Sequence, residues 1–176
     1  MSEEKPEKIK ILLVGSRYTG KGQIGRAWGS TSADLDVLQP VILYDRMVDA
    51  GSTRVVTWVM SYDPEFKDYR RCFFKESDGI IFTFNPSEDM EISLEKLDEY
   101  IAELIEELGT LPPAVLLRVQ LDETDVISSL MHKRTEKWLM EHNNMPYFEL
   151  VYYNQEDFKE KVDNAIITLI NLIRTR

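Results

Sequence analysis

Short apolar runs alternate with amphipathic segments of helical length along the whole chain. The apolar runs predict strands at residues 8–15, 40–48, 53–60, 79–85, 114–120 and 146–153. Between most of these strands, apolar residues recur three or four positions apart, which is the spacing of one helix face. The alternation of the two patterns predicts an α/β layered fold.

Two of the predicted helices have clear signals. The first has apolar residues on one face, namely Leu94, Leu97, Ile101, Leu104, Ile105 and Leu108. Gly109 and the following Pro112-Pro113 pair end this helix. The last helix begins after Asn154, a favourable N-cap residue. Its expected buried stripe consists of Phe158, Val162, Ile166, Leu169 and Ile173.

Length and composition indicate one ordinary globular domain. The chain has 176 residues, 43% of them hydrophobic, and we expect a tail at 1–7 and a single domain at 8–176. The net charge of −10 disfavours nucleic acid and anionic membrane as partners. No apolar run approaches the ~20 residues of a membrane span, and no lipidation signal is visible. These features predict a soluble, cytoplasmic protein without its own membrane anchor.

A basic pair, Arg70 and Arg71, precedes a strongly acidic segment. From Glu88 to Glu107 there are nine acidic residues and one lysine, Lys96. A solvated helix face is the first interpretation of this segment, and a docking surface for a basic partner is the alternative. We expect the arginine pair to lie on the surface and Cys72, the only cysteine, to be a small buried hydrophobe.

The strand at residues 8–15 runs into the sequence Gly15-x-x-x-x-Gly20-Lys21. Glycines let the backbone wrap around a phosphate chain, and the N-terminus of the following helix points its N–H groups at the anion. The lysine would reach the outer phosphates as a point charge. The alternative is a chance match, which the position between a strand and a helix makes less plausible.

Four segments resemble those of Ras-superfamily small GTPases, closest to the Rab-like group. They are "GSRYTGKG", Trp58 followed by "SYDPEFKDYRRCFFKESDGIIFTFNPSE", "LLRVQLDE" and "MPYFELVYYNQEDFKEKVDNAI". Their order and spacing carry the resemblance, which covers almost the whole chain. It implies the three-layer α/β fold of P-loop NTPases, with a six-stranded, mostly parallel sheet and five flanking helices. It also implies a switch between GTP-bound and GDP-bound states.

The positions that hold magnesium in this family have changed. The first hydroxyl position is Gly22, and the position of the aspartate that acts through water is Val59. The hydroxyls nearest the remaining position, Thr31 and Ser32, lie several residues early. Because magnesium demands near-ideal octahedral oxygen geometry, we expect no metal ligands and doubtful magnesium binding. The alternative is an active switch whose ligands have moved to Thr19, Thr31 or Ser32.

The catalytic positions have changed as well. The glutamine that orients the attacking water aligns with Asp63, and the glycine that senses the γ-phosphate aligns with Tyr62. A carboxylate there would face an anionic phosphate, so we expect no catalytic residue and weak or lost hydrolysis. We favour a capping role for Asp63 and Pro64 at the next helix. If the pocket is empty, Lys21 needs a counter-charge, which Asp63 or another nearby acid would supply.

The segments that read guanine are also altered. Val119 and Gln120 replace the family's asparagine and lysine, whereas Asp122 remains and could accept two hydrogen bonds from guanine. An ordinary loop aspartate is an equally good interpretation of Asp122. Tyr152 and Tyr153 stand where small residues normally admit the purine. They would stack on a base or fill its pocket, and filling is the commoner outcome.

The resemblance therefore implies a divergent GTPase-fold protein that acts as a protein-interaction module. GTP or GDP is the expected ligand, and a protein partner is expected to dock on the switch-like region at residues 29–69. The candidate nucleotide-binding residues are Gly15, Thr19, Gly20, Lys21, Gly22, Gln23 and Asp122. A P-loop kinase or ATPase is a weaker alternative because no lid of arginines is visible.

Overall fold

The computed structural model describes residues 5–86, 90–123 and 128–176, and the side chains of residues 90–93 are outside this description. The start of the predicted tail, Glu88 and Asp89 of the acidic segment, and part of the loop after Asp122 therefore lie outside the described residues. Within the described part, no helix has the length and apolar character needed to cross a membrane.

In the described residues, six strands and five helices form the domain. The strands are β1 (Glu7–Gly15), β2 (Val41–Val48), β3 (Thr53–Met60), β4 (Gly79–Phe84), β5 (Ala114–Gln120) and β6 (Tyr147–Val151). The helices are α1 (Lys21–Trp28), α2 (Lys67–Cys72), α3 (Met90–Leu108), α4 (Ser129–Glu141) and α5 (Gln155–Arg174). Two 3₁₀ turns, Asp49–Gly51 and Pro64–Phe66, complete the description.

The strands form one sheet in the order β2-β3-β1-β4-β5-β6. The β2–β3 pair is an antiparallel hairpin, and all other neighbouring pairs are parallel. The predicted six-stranded, mostly parallel sheet with five helices is confirmed, and the arrangement is consistent with the three-layer fold of P-loop NTPases. Because the parallel strands point the same way, the loops after β1, β3, β4, β5 and β6 meet at one edge of the sheet.

Alternate residues of the strands supply two separate cores, one on each face of the sheet. One face packs on α1 and α5, with Ile24, Trp28 and Phe158 among its buried residues. The other face packs on α3 and α4 and includes Leu97 and Trp138. Helices α1, α3, α4 and α5 therefore each bury one stripe against a central sheet that is apolar on both sides.

The predicted stripes agree with this packing except at one position. In α5, all five predicted residues lie in the core or pack against it. In α3, Ile105 is 44% exposed, so its predicted burial is wrong. Tyr100 and Glu103 are buried instead. Successive residues of a helix are about 100° apart. The buried face of α3 is therefore centred closer to Tyr100 and Glu103 than to Ile105.

Candidate functional site

The loop between β1 and α1 has a shape that depends on two glycines. Gly20 precedes the helix with a φ of 78°, which only glycine adopts without strain. A Cβ on Gly20 would lie 2.5 Å from Val119 Cγ1, and one on Gly15 would lie 2.2 Å from Thr83 Oγ1. The loop is therefore pressed against the ends of β4 and β5, and larger residues would displace it.

Two buried threonine hydroxyls support the loop from below. Thr19 Oγ1 and Thr83 Oγ1 are 2.8 Å apart. Thr19 Oγ1 also lies 2.9 Å from the carbonyl oxygen of Ser16, and Thr83 Oγ1 lies 3.2 Å from that of Val14, so two hydroxyl hydrogens serve three contacts. Thr19 is only 1% exposed. Its hydroxyl is engaged within the loop, which argues against Thr19 as a relocated magnesium ligand.

Lys21 turns its ammonium back under the loop. Its Nζ donates to the carbonyl oxygens of Gly15 and Ser16 at 2.7 and 2.6 Å, and the residue is 8% exposed. Lys21 and Asp63, both described residues, form no ion pair with each other. The prediction that Asp63 neutralises Lys21 is therefore wrong. The ring of Tyr62 lies 5.7 Å from the ammonium. The loop thus holds a positive charge at a fixed place beside the helix N-terminus.

A cavity of about 510 Å³ is lined in part by Lys21. We call it the cleft. Five of the predicted nucleotide-binding residues line one side, namely Thr19, Gly20, Lys21, Gly22 and Gln23. The other walls come from residues 35–39, from Ile42, from residues 59–62 and from Leu121. Gly15 lies behind the loop, and Asp122 is exposed and does not belong to the wall.

Two of the predicted magnesium positions have no side-chain oxygen. They are Gly22 and Val59, and Val59 is buried within the apolar core. The hydroxyl of Thr31 accepts from the N–H of Ala33 at 3.1 Å. No group of three or more acidic, histidine or cysteine side chains arranged for a metal occurs in the described parts of the chain. The expectation of no metal ligands stays a prediction.

The groups at the predicted base-reading end bond to one another. The N–H of Tyr152 donates to the carbonyl of Gln120 at 2.9 Å, and Gln120 Nε2 donates to the carbonyl of Asp122 at 3.2 Å. The ring of Tyr152 meets Phe158 edge-on, with centroids 5.3 Å apart. Tyr152 therefore packs against the core, whereas Tyr153 is 44% exposed.

Asp63 has the capping role that we favoured. Its Oδ1 accepts from the N–H of Glu65 at 2.9 Å, and Pro64 occupies the first position of the 3₁₀ turn. The N–H of Asp63 in turn donates to Ser61 Oγ at 3.2 Å. These bonds fix Asp63 as a structural residue of the loop after β3.

Two expectations for α2 are wrong. Arg70 is 6% exposed rather than a surface residue, and it forms a bidentate pair with Glu103 of α3 at 2.9 to 3.2 Å. Cys72 is exposed, because Phe74 takes the buried position. Arg71 lies 2.6 Å from Glu107. Part of the acidic face of α3 therefore binds the basic pair of its own chain.

The edge hairpin exposes apolar side chains on one face. Leu43 and Met47 of β2 are 41% and 46% exposed. Leu43 lies opposite Trp58 in the antiparallel ladder, and Trp58 is half-buried, with Lys10 Nζ 4.1 Å above its ring. We call Leu43, Met47 and Trp58 the β2–β3 face. Their exposure marks this face as a candidate contact surface.

The apolar walls of the cleft were not predicted from the sequence. Leu35, Val37 and Leu38 line it and are 47%, 54% and 65% exposed. The signal was three apolar residues within "DLDVLQP", a loop segment that has no helical or strand periodicity. Met60, the last residue of β3, and Leu121, the residue after β5, extend the same apolar lining.

Comparisons with known proteins add no family to this description. No protein-family model matches the chain, and no curated protein matches it. The likeness to small GTPases therefore stays a prediction from the four sequence segments.

Proposed function

We propose that this protein is a divergent Ras-like GTPase-fold module that holds a guanine nucleotide weakly by its phosphates. It hydrolyses GTP slowly or not at all, and it acts by docking a protein partner. The active GTPase switch with relocated magnesium ligands is the alternative.

One observation carries the phosphate-binding part of the proposal. Lys21 lines the cleft, and its buried ammonium is oriented by the carbonyl oxygens of Gly15 and Ser16. The N-cap residue of α1, Gly20, offers no side-chain acceptor to the first N–H groups, and the first turn has no acidic residue. An anion at this place would meet a fixed positive charge and the positive end of a helix dipole. The cleft volume lies within the range of small-molecule sites.

The lack of side-chain oxygens at two predicted magnesium positions supports the proposal of slow or absent GTP hydrolysis. Phosphoryl transfer depends on positioned water and on metal ions that offset the developing charge. Gly22 and Val59 have no side-chain oxygen, and the carboxylate of Asp63 caps the 3₁₀ turn at Pro64–Phe66. Gln120 and Tyr152 form hydrogen bonds within the protein rather than with a base. These bonds support weak selection of guanine over other bases.

The β2–β3 face supports the docking part of the proposal. The two exposed side chains of β2, Leu43 and Met47, lie on the same face of the sheet as Trp58. We propose that the partner presents an apolar segment to this face. The Asp45–Arg54 ion pair beside it offsets local charge, so complementarity of shape and apolar area would dominate binding.

Titration with a fluorescent guanine nucleotide tests the phosphate-binding part. We expect weak binding of GDP and GTP that magnesium changes by less than about threefold, and no multiple turnover. Lys21→Met should weaken binding at least tenfold, because it removes the charge and keeps the unbranched stem. Lys133→Met, an exposed lysine on α4, is the matched control and should bind normally.

Three results would count against this proposal. Tight, magnesium-dependent binding with repeated turnover would favour the active switch. A clear preference for ATP would favour the kinase or ATPase alternative. No shift in thermal melting at millimolar GTP, GDP or ATP would mean that no nucleotide binds, since a ligand at a hundred times its Kd adds ~2.7 kcal/mol.

The docking part has a separate test. A photo-crosslinking residue at Met47 should capture a partner in the native cells, and that partner, once purified, should bind the wild-type protein. Leu43→Asp should weaken the measured affinity at least tenfold. Ile167→Asp, which changes a side chain on α5 with 47% exposure, is the control. Equal binding by the two variants would reject the β2–β3 face.

A further inference from the structure

The cleft combines a phosphate-type end with an apolar body. At one end lie the buried ammonium of Lys21 and the start of α1. Away from that end, the walls are formed mainly by apolar side chains, namely Leu35, Val37, Leu38, Ile42, Val59, Met60 and Leu121. Among the described residues that line the cleft, Asp36 is the one acidic side chain. A nucleoside would have to place polar ribose and base atoms against these walls.

The base-reading end also offers little to a purine. Val119 takes the place beside Gly20, where an added Cβ would lie 2.5 Å from Val119 Cγ1. The backbone N–H of Tyr152 is already bonded to Gln120, and its ring packs on Phe158. A base would therefore displace these contacts or stay in solvent. Burying polar base atoms without partners would cost binding free energy.

The exposed leucines of the loop before β2 point to an apolar ligand. Leu35 and Leu38 are 47% and 65% exposed while they line the cleft. An alkyl or prenyl chain that enters the cleft would cover them and remove apolar surface from water. Its phosphate group would meet Lys21 and the helix start, so charge and apolar surface are both complementary.

We propose that the preferred ligand of the cleft is a phosphate ester with an apolar chain, such as an alkyl or prenyl diphosphate. This inference rests on the proposed phosphate-binding function and names the ligand class of the same site. The chain lies against residues 35–38 and Leu121, and the diphosphate lies at Lys21. A guanine nucleotide uses only the phosphate end and binds more weakly.

A chain-length series provides the test. Calorimetry would compare pyrophosphate, GDP, and butyl, hexyl and octyl diphosphate below their micelle-forming concentrations. Each buried methylene should tighten binding about threefold to fourfold, and octyl diphosphate should bind at least tenfold more tightly than GDP. Pyrophosphate should compete with octyl diphosphate for one site.

Variants locate the two ends of the ligand. Lys21→Met should weaken the binding of all the compounds. The double variant Leu35→Ser/Leu38→Ser should make the affinity nearly independent of chain length, whereas Met140→Ser, at 71% exposure on α4, should keep the dependence. Thermal unfolding of each variant checks that it folds.

The outcomes separate this inference from the proposed function. If GDP binds through Lys21 but chain length has no effect, or GDP binds more tightly than octyl diphosphate, the inference is wrong and the proposed function stands. If octyl diphosphate binds equally to wild type and Lys21→Met, its site is elsewhere and the inference is also wrong. If no phosphate compound binds, both are wrong.

Discussion

Two neighbouring residues, Gly20 and Lys21, decide what the loop after β1 can do. The positive φ of Gly20 turns the chain so that Lys21 begins a helix, and the ammonium of Lys21 then folds back to two carbonyl oxygens of the same loop. The sequence predicted both residues because the motif places strict geometric demands on single positions. It missed the hydroxyl pair below the loop, since Thr19 and Thr83 are far apart along the chain.

Gly20 and Gly22 should respond very differently to the same substitution. Gly20→Ala puts a Cβ at positive φ and 2.5 Å from Val119, so we expect a loss of about 2 kcal/mol or more in the free energy of unfolding. Gly22→Ala meets only the Arg26 side chain, at 3.6 Å, and should be neutral or stabilising by up to about 1 kcal/mol. Urea unfolding measures both, and similar losses would contradict this account of the loop.

At the scale of elements, helix caps and strand bounds followed the sequence closely. The two strands of the edge hairpin, the N-cap Asn154 and the stripe of α5 were predicted from local signals. Local signals do not say which element lies opposite, and this explains the errors. Arg70 looked like a surface residue because its partner, Glu103, is 33 positions away. The exposure of Cys72 depends in the same way on how α2 lies against α3.

The Arg70–Glu103 pair should hold α2 against α3. Both residues are buried, so Glu103→Ala would leave an uncompensated buried guanidinium next to Tyr100. We expect a loss of about 3 kcal/mol in the free energy of unfolding. The double variant Arg70→Met/Glu103→Leu removes both charges and should recover most of that loss. Urea unfolding measures each variant.

A surface glutamate of the same helix provides the control for this prediction. Glu106 has an exposed side chain that meets Arg71 at 3.0 Å, and Glu106→Ala should cost under about 1 kcal/mol. If Glu103→Ala were as mild as Glu106→Ala, or if the double variant were less stable than Glu103→Ala, the buried pair would not have the role assigned to it.

At the scale of the whole molecule, the sequence predicted the fold but not the cleft. Alternating apolar runs and helical periods define the layers, because each face of the sheet must be covered. The cleft instead depends on how residues 35–39, the loop after β3 and Leu121 converge. These residues come from separate loops without periodicity, so no local pattern could show that apolar side chains face Lys21.

The two ends of the domain meet at Arg174, and this contact should depend on pH. Its guanidinium donates to Glu7 Oε2 and Asp49 Oδ2 at 2.8 and 2.7 Å and lies 2.8 Å from Thr53 Oγ1. The hydrogen bond from Arg174 is the main cause that lowers the pKa of Glu7 and the pKa of Asp49. The last helix is thereby linked to the start of β1 and to the hairpin turn.

Lowered carboxyl pKa values give this link a definite pH dependence. The stabilisation is fully present above the unfolded-state pKa values, about 4, and is lost as pH falls through the lower folded-state values. We expect Arg174→Gln to lower Tm at pH 7, and the difference from wild type to shrink as pH falls from 5 toward 2. Arg176→Gln, with the same change in charge, should show no such convergence. A difference for Arg174→Gln that stays constant with pH would mean that the two carboxylates do not stabilise the folded chain through Arg174.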